Sequence, residues 1–319
     1  MRISFISYYY ATFVKQDYEI LSRFFDVERI DYRTPKHILN MARSIYNSNI
    51  VYSWFAAGHS FIAVLLAKMM KKRSVVVAGG YDVAYEPEID YGQYTLDWHK
   101  RLYADFVLKY ADAILAVSQF SAKEARARSS PRKLEVVYLG IDMDKFAPKG
   151  EKEYLVMTVA SGSNVIKLKG LDTFVRAAKY HQKIKFLVIG LSEQDMKELR
   201  SQSDSQNLEL CGHASQEELI SYYQRAKVYC QLSYRESFGA SLAEAMACGC
   251  VPIVTDRGAL PEVAGDTGFY VPYGDEKETV KGIKNALESN KGALARKRIE
   301  ENFSMRMRER ALLEVIQSL

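Results

Sequence analysis

Long hydrophobic runs are missing from this 319-residue chain: the longest, FIAVLLA at 61–67, is far short of the ~20 apolar residues that span a bilayer. The opening residues, MRISFISYYY, carry one Arg but no apolar core leading to a small-residue cleavage site, so no secretory signal is read there. Cysteine is scarce too. Cys211, Cys230, Cys248 and Cys250 all fall in the second half, without zinc-ligand spacing and without histidines at ligand distance. That excludes a disulfide scaffold or zinc finger and predicts reduced core thiols in a cytoplasmic protein. The net charge is only +5, and no Lys/Arg stripe interleaved with aromatics appears, which argues against a nucleic-acid partner.

What remains is the composition of an ordinary globular protein, 48% apolar and 26% charged, long enough for two domains that each bury a core. Twenty-two tyrosines suit ring-lined clefts as well as a thick core. The charge is unevenly spread: residues 1–148 hold 20 Lys/Arg against 16 Asp/Glu, and residues 149–319 hold 24 against 23. Lys68, Lys71, Lys72 and Arg73 crowd the end of one helical pattern, "LLAKMMKKRS". Cations there complement the helix dipole, and they equally suit peripheral contact with an anionic membrane.

Short apolar runs rich in branched residues alternate with helix-length segments. ISFIS (3–7), NIVYSW (49–54), SVVVAGG (74–80), AILAVS (113–118) and LEVVYLG (134–140) read as buried strands, with helices at 59–72 and 97–110 between them. A polar stretch with Pro148 and Gly150 reads as a linker, after which YLVMTVAS, KFLVIG, LELCG, VYCQLS, VPIVTD and GFYVP restart the alternation. The fold expected is α/β: two doubly wound, Rossmann-like parallel-sheet domains, 1–148 and 149–302, with a closing helix at 303–319. Ligands of such sheets bind beyond the carboxyl ends of the strands, so two of them facing each other make a cleft.

One stretch concentrates chemistry. RESFGASLAEAMACGC (235–250) follows a strand and leads into a helix, so its turn offers backbone N–H groups to an anion. Gly239 lets the main chain approach a phosphate, Glu236 sits on the turn, and Glu244 lies a turn and a half into the helix, in reach of sugar hydroxyls. The plain alternative is a solvated loop acid and an incidental helix residue. In the first half, Asp82 behind Gly79 and Gly80 is read either as orienting an acceptor hydroxyl or as a turn aspartate. His59, at a strand-to-helix turn, is read as facing the cleft, and Ser118 as a helix cap.

SYRESFGASLAEAMACG resembles the paired-glutamate signature of retaining glycosyltransferases of family 4 (glycosyltransferase group 1), which have the GT-B fold. The similarity continues through VPIVTDRGALPEVAGDTGFYVPYGD (251–275), LELCGHASQEELISYYQRAKVYCQLS (208–233), KGLDTFVRAA (169–178) and ENFSMRMRERALLEV (301–315). It covers roughly 155–319 well and the first 150 residues weakly.

The resemblance implies a metal-independent hexosyl transfer without cofactor, from a nucleotide diphosphate sugar (UDP or GDP) to a hydroxyl of a glycan, lipid-linked or small-molecule acceptor held by the first domain. Glu236 would stabilise the positive charge at the breaking glycosidic bond, and Lys169 would neutralise the leaving diphosphate. Ser237, Phe238, Gly239 and Ala240 would cap that diphosphate through N–H groups. Glu244 would hold the ribose, and His213 would lie beside the base.

Three departures from the family pattern stand out. Ser163 or Asn164, with Lys167 nearby, replaces an arginine ahead of the Lys-Gly pair, and AGGYD replaces a histidine motif on the acceptor side. SYYYATF replaces a Gly-Gly turn after the first strand. Two further functions use the same architecture: a non-catalytic nucleotide-sugar-binding protein and a nucleotide-sugar epimerase.

Overall fold

The structure is a computed structural model that describes residues 1–160 and 164–319. The chain divides into two units, Met1–Gly140 with Arg306–Leu319, and Ile141–Met305. The polar segment after Gly140 belongs to the second unit: Ile141 pairs with Ser304, and Phe146 is buried near Tyr223.

The first unit contains β1 (Arg2–Ser7), β2 (Asp26–Asp31), β3 (Ile50–Trp54), β4 (Arg73–Ala78), β5 (Ala113–Ala116) and β6 (Leu134–Val136). They form one parallel sheet in the order β2-β1-β3-β4-β5-β6. The second unit contains β7 (Glu153–Val159), β8 (Lys185–Ile189), β9 (Leu208–Leu210), β10 (Ala226–Gln231), β11 (Val251–Val254) and β12 (Phe269–Tyr270), ordered β12-β11-β10-β7-β8-β9, again all parallel. Both sheets are doubly wound, and in each the strand order reverses once, between β1 and β3 and between β7 and β10. Those reversals are where such sheets open a crevice.

Central strands are buried on both faces, as their continuous Val/Ile/Leu runs require. β2 is the exception. DVERID is charged and half-exposed because it is an edge strand, which explains why no apolar run announces it. The last helix, Met305–Gln317, brings Arg308 into the first unit, where its guanidinium meets both oxygens of Asp17 at 2.6 and 2.7 Å. Arg308 also donates to the Val137 and Tyr138 carbonyls, while Tyr52 and Trp54 donate to Asp17. Cys230, Cys248 and Cys250 are buried free thiols; Cys211 is only half-buried, its Sγ 3.4 Å from Glu209. No helix among the described residues is long and apolar enough to cross a membrane.

Candidate functional site

Beyond the carboxyl end of β10 the chain runs through Leu232–Gly239 into the helix Ala240–Ala247. Within that turn the Glu236 side chain folds back toward the strand. Its Oε1 accepts from Gln231 Nε2 at 2.9 Å and Ser233 Oγ at 3.0 Å, and lies 2.5 Å from Lys169 Nζ. The lysine ends the short helix Val165–Lys169, which follows β7. The two charged groups therefore meet at the β7/β10 reversal, only 12% and 18% exposed.

Close main-chain contacts fix the pair. Gly170, at φ +62°, lies so near β10 that a Cβ would fall 2.1 Å from the Leu232 carbonyl oxygen. Gly258, at φ +61°, packs on Glu236, where a Cβ would stand 2.3 Å from its carbonyl oxygen. Tyr234 N–H donates to Leu168 and Ala259 N–H to Glu236, tying three loops together. Any side chain at either glycine would push Lys169 and Glu236 apart.

The helix that follows starts at Gly239, φ +94°, so its first N–H groups have no capping side chain from that residue. The Phe238 ring is buried edge-on against Phe303, leaving only its main chain to reach a ligand. Glu244 keeps some exposed surface, but its carboxylate is densely surrounded, and that desolvation pushes its pKa up to about 7. Tyr223 Oη, 3.4 Å from Oε2, and the charge of Lys145 act in the opposite direction.

Other residues read from the sequence lie elsewhere. Lys167 is exposed two positions before Lys169 on the short helix, where side chains i and i+2 diverge. Asn164 is exposed at the helix N-cap with φ +54°, and Ser163 lies outside the described residues. His213 is exposed in the loop after β9.

Of the two readings of Asp82, the geometry in the first unit fits the turn aspartate. That carboxylate is 1% exposed and accepts from Ala56 N–H at 2.6 Å and Gly80 N–H at 2.8 Å, so it braces the loops after β3 and β4. Gly79 and Gly80 serve the same brace: a Cβ on Gly79 would strike the Phe55 ring at 2.3 Å. His59 is 6% exposed, bonded through Nε2 to the Trp54 carbonyl at 2.7 Å. Ser118 caps its helix through Ser121 N–H, as expected.

Sequence reading missed Gln231 and Ser233, whose signal was two polar residues at alternate positions near the end of an apolar strand. It also missed Arg257, whose guanidinium stands 4.2 Å from the Tyr234 ring centroid and 5.2 Å from that of Tyr273, directly before Gly258.

Comparison with known proteins places this geometry in context. The family profile of glycosyl transferases group 1 matches residues 142–305, and that of Glycosyltransferase Family 4 matches residues 13–145. Among curated relatives, an MMP alpha-(1->4)-mannosyltransferase of Mycolicibacterium hassiacum is 31% identical over 219 residues, covering 62% of this chain and 52% of that protein. A D-inositol 3-phosphate glycosyltransferase of Mycobacterium sp. (strain JLS) is 26% identical over 216 residues, covering 61% and 49%. The chain thus spans about half the length of the curated relatives it matches. Among solved structures, Anabaena HepE in complex with UDP superposes with a TM-score of 0.80 at 16% identity, over 100% of both chains.

Proposed function

The chain belongs to the glycosyl transferases group 1 family, and on that premise we propose that it transfers a hexose, with retention, from a nucleoside diphosphate sugar to an acceptor hydroxyl. The Lys169–Glu236 pair at the strand-order reversal is the observation that carries this reading. In the free protein each charge satisfies the other. A diphosphate entering over the N-terminus of the helix Ala240–Ala247 takes Lys169 as its counter-charge and the N–H groups of Ser237 through Ala240 as donors. Glu236, kept in place by Gln231 and Ser233, then stabilises the positive charge that develops on the sugar. The acceptor attacks from the leaving-group face, and the departing phosphate oxygen takes its proton. Fixed cationic and N–H donors stabilise the leaving group without a metal. UDP complexes of HepE support a uridine nucleotide as the donor to try first, with GDP as the comparison.

Glu244 supplies the test. Its carboxyl retains a proton in the native state between the ordinary pKa near 4.5 and its own near 7. Native stability is therefore lost as pH rises across that window and is lowest above it. Glu244→Gln is expected to raise stability by about 1–3 kcal/mol at pH 8 and by nothing near pH 4.5. Ribose hydroxyls donate to the ionised carboxylate, so the wild type should bind nucleotide more tightly as pH rises through 7. Thermal melts of both proteins with UDP, GDP and their sugars check this. The expected result is a wild-type nucleotide shift that Glu244→Gln loses despite its higher baseline. A variant stabilised as strongly as the wild type by the same nucleotide would remove Glu244 from the site.

We further propose peripheral contact of the first unit with anionic lipid. The helix Gly58–Met69 exposes Leu65 and Met69 ahead of Lys71, Lys72 and Arg73, and no acidic residue occurs between 58 and 73. The neighbouring helix Trp98–Tyr110, joined to it by Phe61 against Tyr103, exposes Trp98 and Leu102. Flotation with phosphatidylserine vesicles should recover the protein, and charge reversal at Lys71 and Lys72 should release it, each lysine contributing about 1 kcal/mol. Equal recovery on neutral phosphatidylcholine vesicles would refute an electrostatic contact.

A further inference from the structure

In the first unit the strand order reverses between β1 and β3, and a cavity of about 500 Å³ opens beside the segments that follow those strands. That volume falls within the roughly 300–1,000 Å³ typical of small-molecule sites. Tyr8 enters it from the residue after β1, His59 and Phe61 from the helix Gly58–Met69, and Gln93 and Tyr103 from the segment after β4.

Two of these side chains are committed on their donor side. Gln93, 6% exposed, donates through Nε2 to the Ala56 carbonyl at 2.8 Å and the Lys100 carbonyl at 3.0 Å, which uses both amide protons. Its Oε1 has no hydrogen-bond partner among the described residues and is not sealed from solvent. The His59 Nε2 faces a carbonyl oxygen, so it carries the proton, and the neutral ring has a bare lone pair at Nδ1. That atom likewise has no partner among the described residues and is not sealed off. The cavity therefore holds two fixed acceptors that lack protons of their own.

An oxyanion brought against two lone pairs is repelled, whereas a hydroxyl donates to them. Beside the acceptors stands Tyr8, 60% exposed yet with its ring stacked 6.1 Å from that of His59 at 27°. Its face suits the polarised C–H groups of a saturated ring. The rim cation Lys100 lies 3.8 Å from Asp97, so part of its charge is already met.

We propose that this cavity binds the acceptor as a neutral ring polyol, a sugar or cyclitol residue that stacks on Tyr8 and donates hydroxyl protons to Gln93 Oε1 and His59 Nδ1. The inference rests on the transfer reading for its role, and on the cavity alone for its ligand class. Desolvation holds the His59 pKa at about 4, so its acceptor lone pair persists through the neutral range.

The test is saturation-transfer NMR on the full chain with methyl α-D-mannopyranoside, myo-inositol and inorganic phosphate as separate probes. UDP is titrated independently. The expected result is binding of a neutral polyol, weakened about tenfold by Gln93→Leu and by Tyr8→Ala, with UDP binding unchanged. Tyr8 is exposed, so its variant keeps the test valid where loss of the Gln93 main-chain bonds disturbs folding. Phosphate binding without polyol binding, or binding of no probe with UDP present, overturns the inference. If polyols bind and no nucleotide does, the cavity assignment stands and the transfer reading falls.

Discussion

Lys169→Ala should lower the transfer rate by about 10²–10³-fold, the usual cost of removing one preorganised donor from a developing anion. In the proposed mechanism the lysine offsets charge on the leaving diphosphate, so the loss should appear in kcat as well as in nucleotide affinity. A structural cost accompanies it, because Glu236, only 12% exposed, loses its counter-ion while keeping Gln231 and Ser233. Glu236→Gln in the same chain relieves that unpaired charge. The double variant should therefore recover melting temperature relative to Lys169→Ala and recover no activity. Single-turnover rates together with melts separate the two effects. A Lys169→Ala protein that turns over at the wild-type rate would remove the lysine from the mechanism.

Arg308→Ala carries the largest expected stability loss, about 3–5 kcal/mol, because it strands a buried carboxylate. Asp17 is fully buried and Arg308 is 1% exposed, so neither gains solvation when its partner is deleted. The guanidinium also satisfies the Val137 and Tyr138 carbonyls, which alanine leaves open. Urea titration followed by Trp fluorescence reports it directly, since the Trp54 indole donates to the same carboxylate. Asp17→Asn with Arg308→Met removes both charges and should recover much of the loss. Equal midpoints for Arg308→Ala and wild type would show that the pair does not hold the helix.

Strands such as β4 and β8 were legible because a parallel sheet covered on both faces leaves an unbroken branched apolar run in the sequence. β2 was not legible, because an edge strand can carry DVERID without a burial cost. Glu236 and Lys169, which the structure pairs, were singled out through a motif with a mechanism. Their supports were not: Gln231 meets Glu236 only because the turn after β10 folds the side chain back, and Gly258 packs on it from the loop after β11. Asp82 was ambiguous for a physical reason. A carboxylate after two glycines looks the same in sequence whether it reaches a ligand or closes on its own backbone, and here Ala56 and Gly80 N–H groups take it.

The ion pair between the last helix and Asp17 also sets a timetable for the chain as it is made. Asp17 and Arg308 lie 291 positions apart, so a ribosome adding ~5–20 residues per second separates their emergence by roughly 15–60 s. β1 leaves the ribosome before that interval and β2 to β6 within its first half, yet the guanidinium that neutralises their buried carboxylate arrives at its end. The second unit, contiguous from Ile141 to Met305, is complete before then. The half of the protein that is translated first is therefore the half whose buried core is completed last, because Asp17 waits for Arg308.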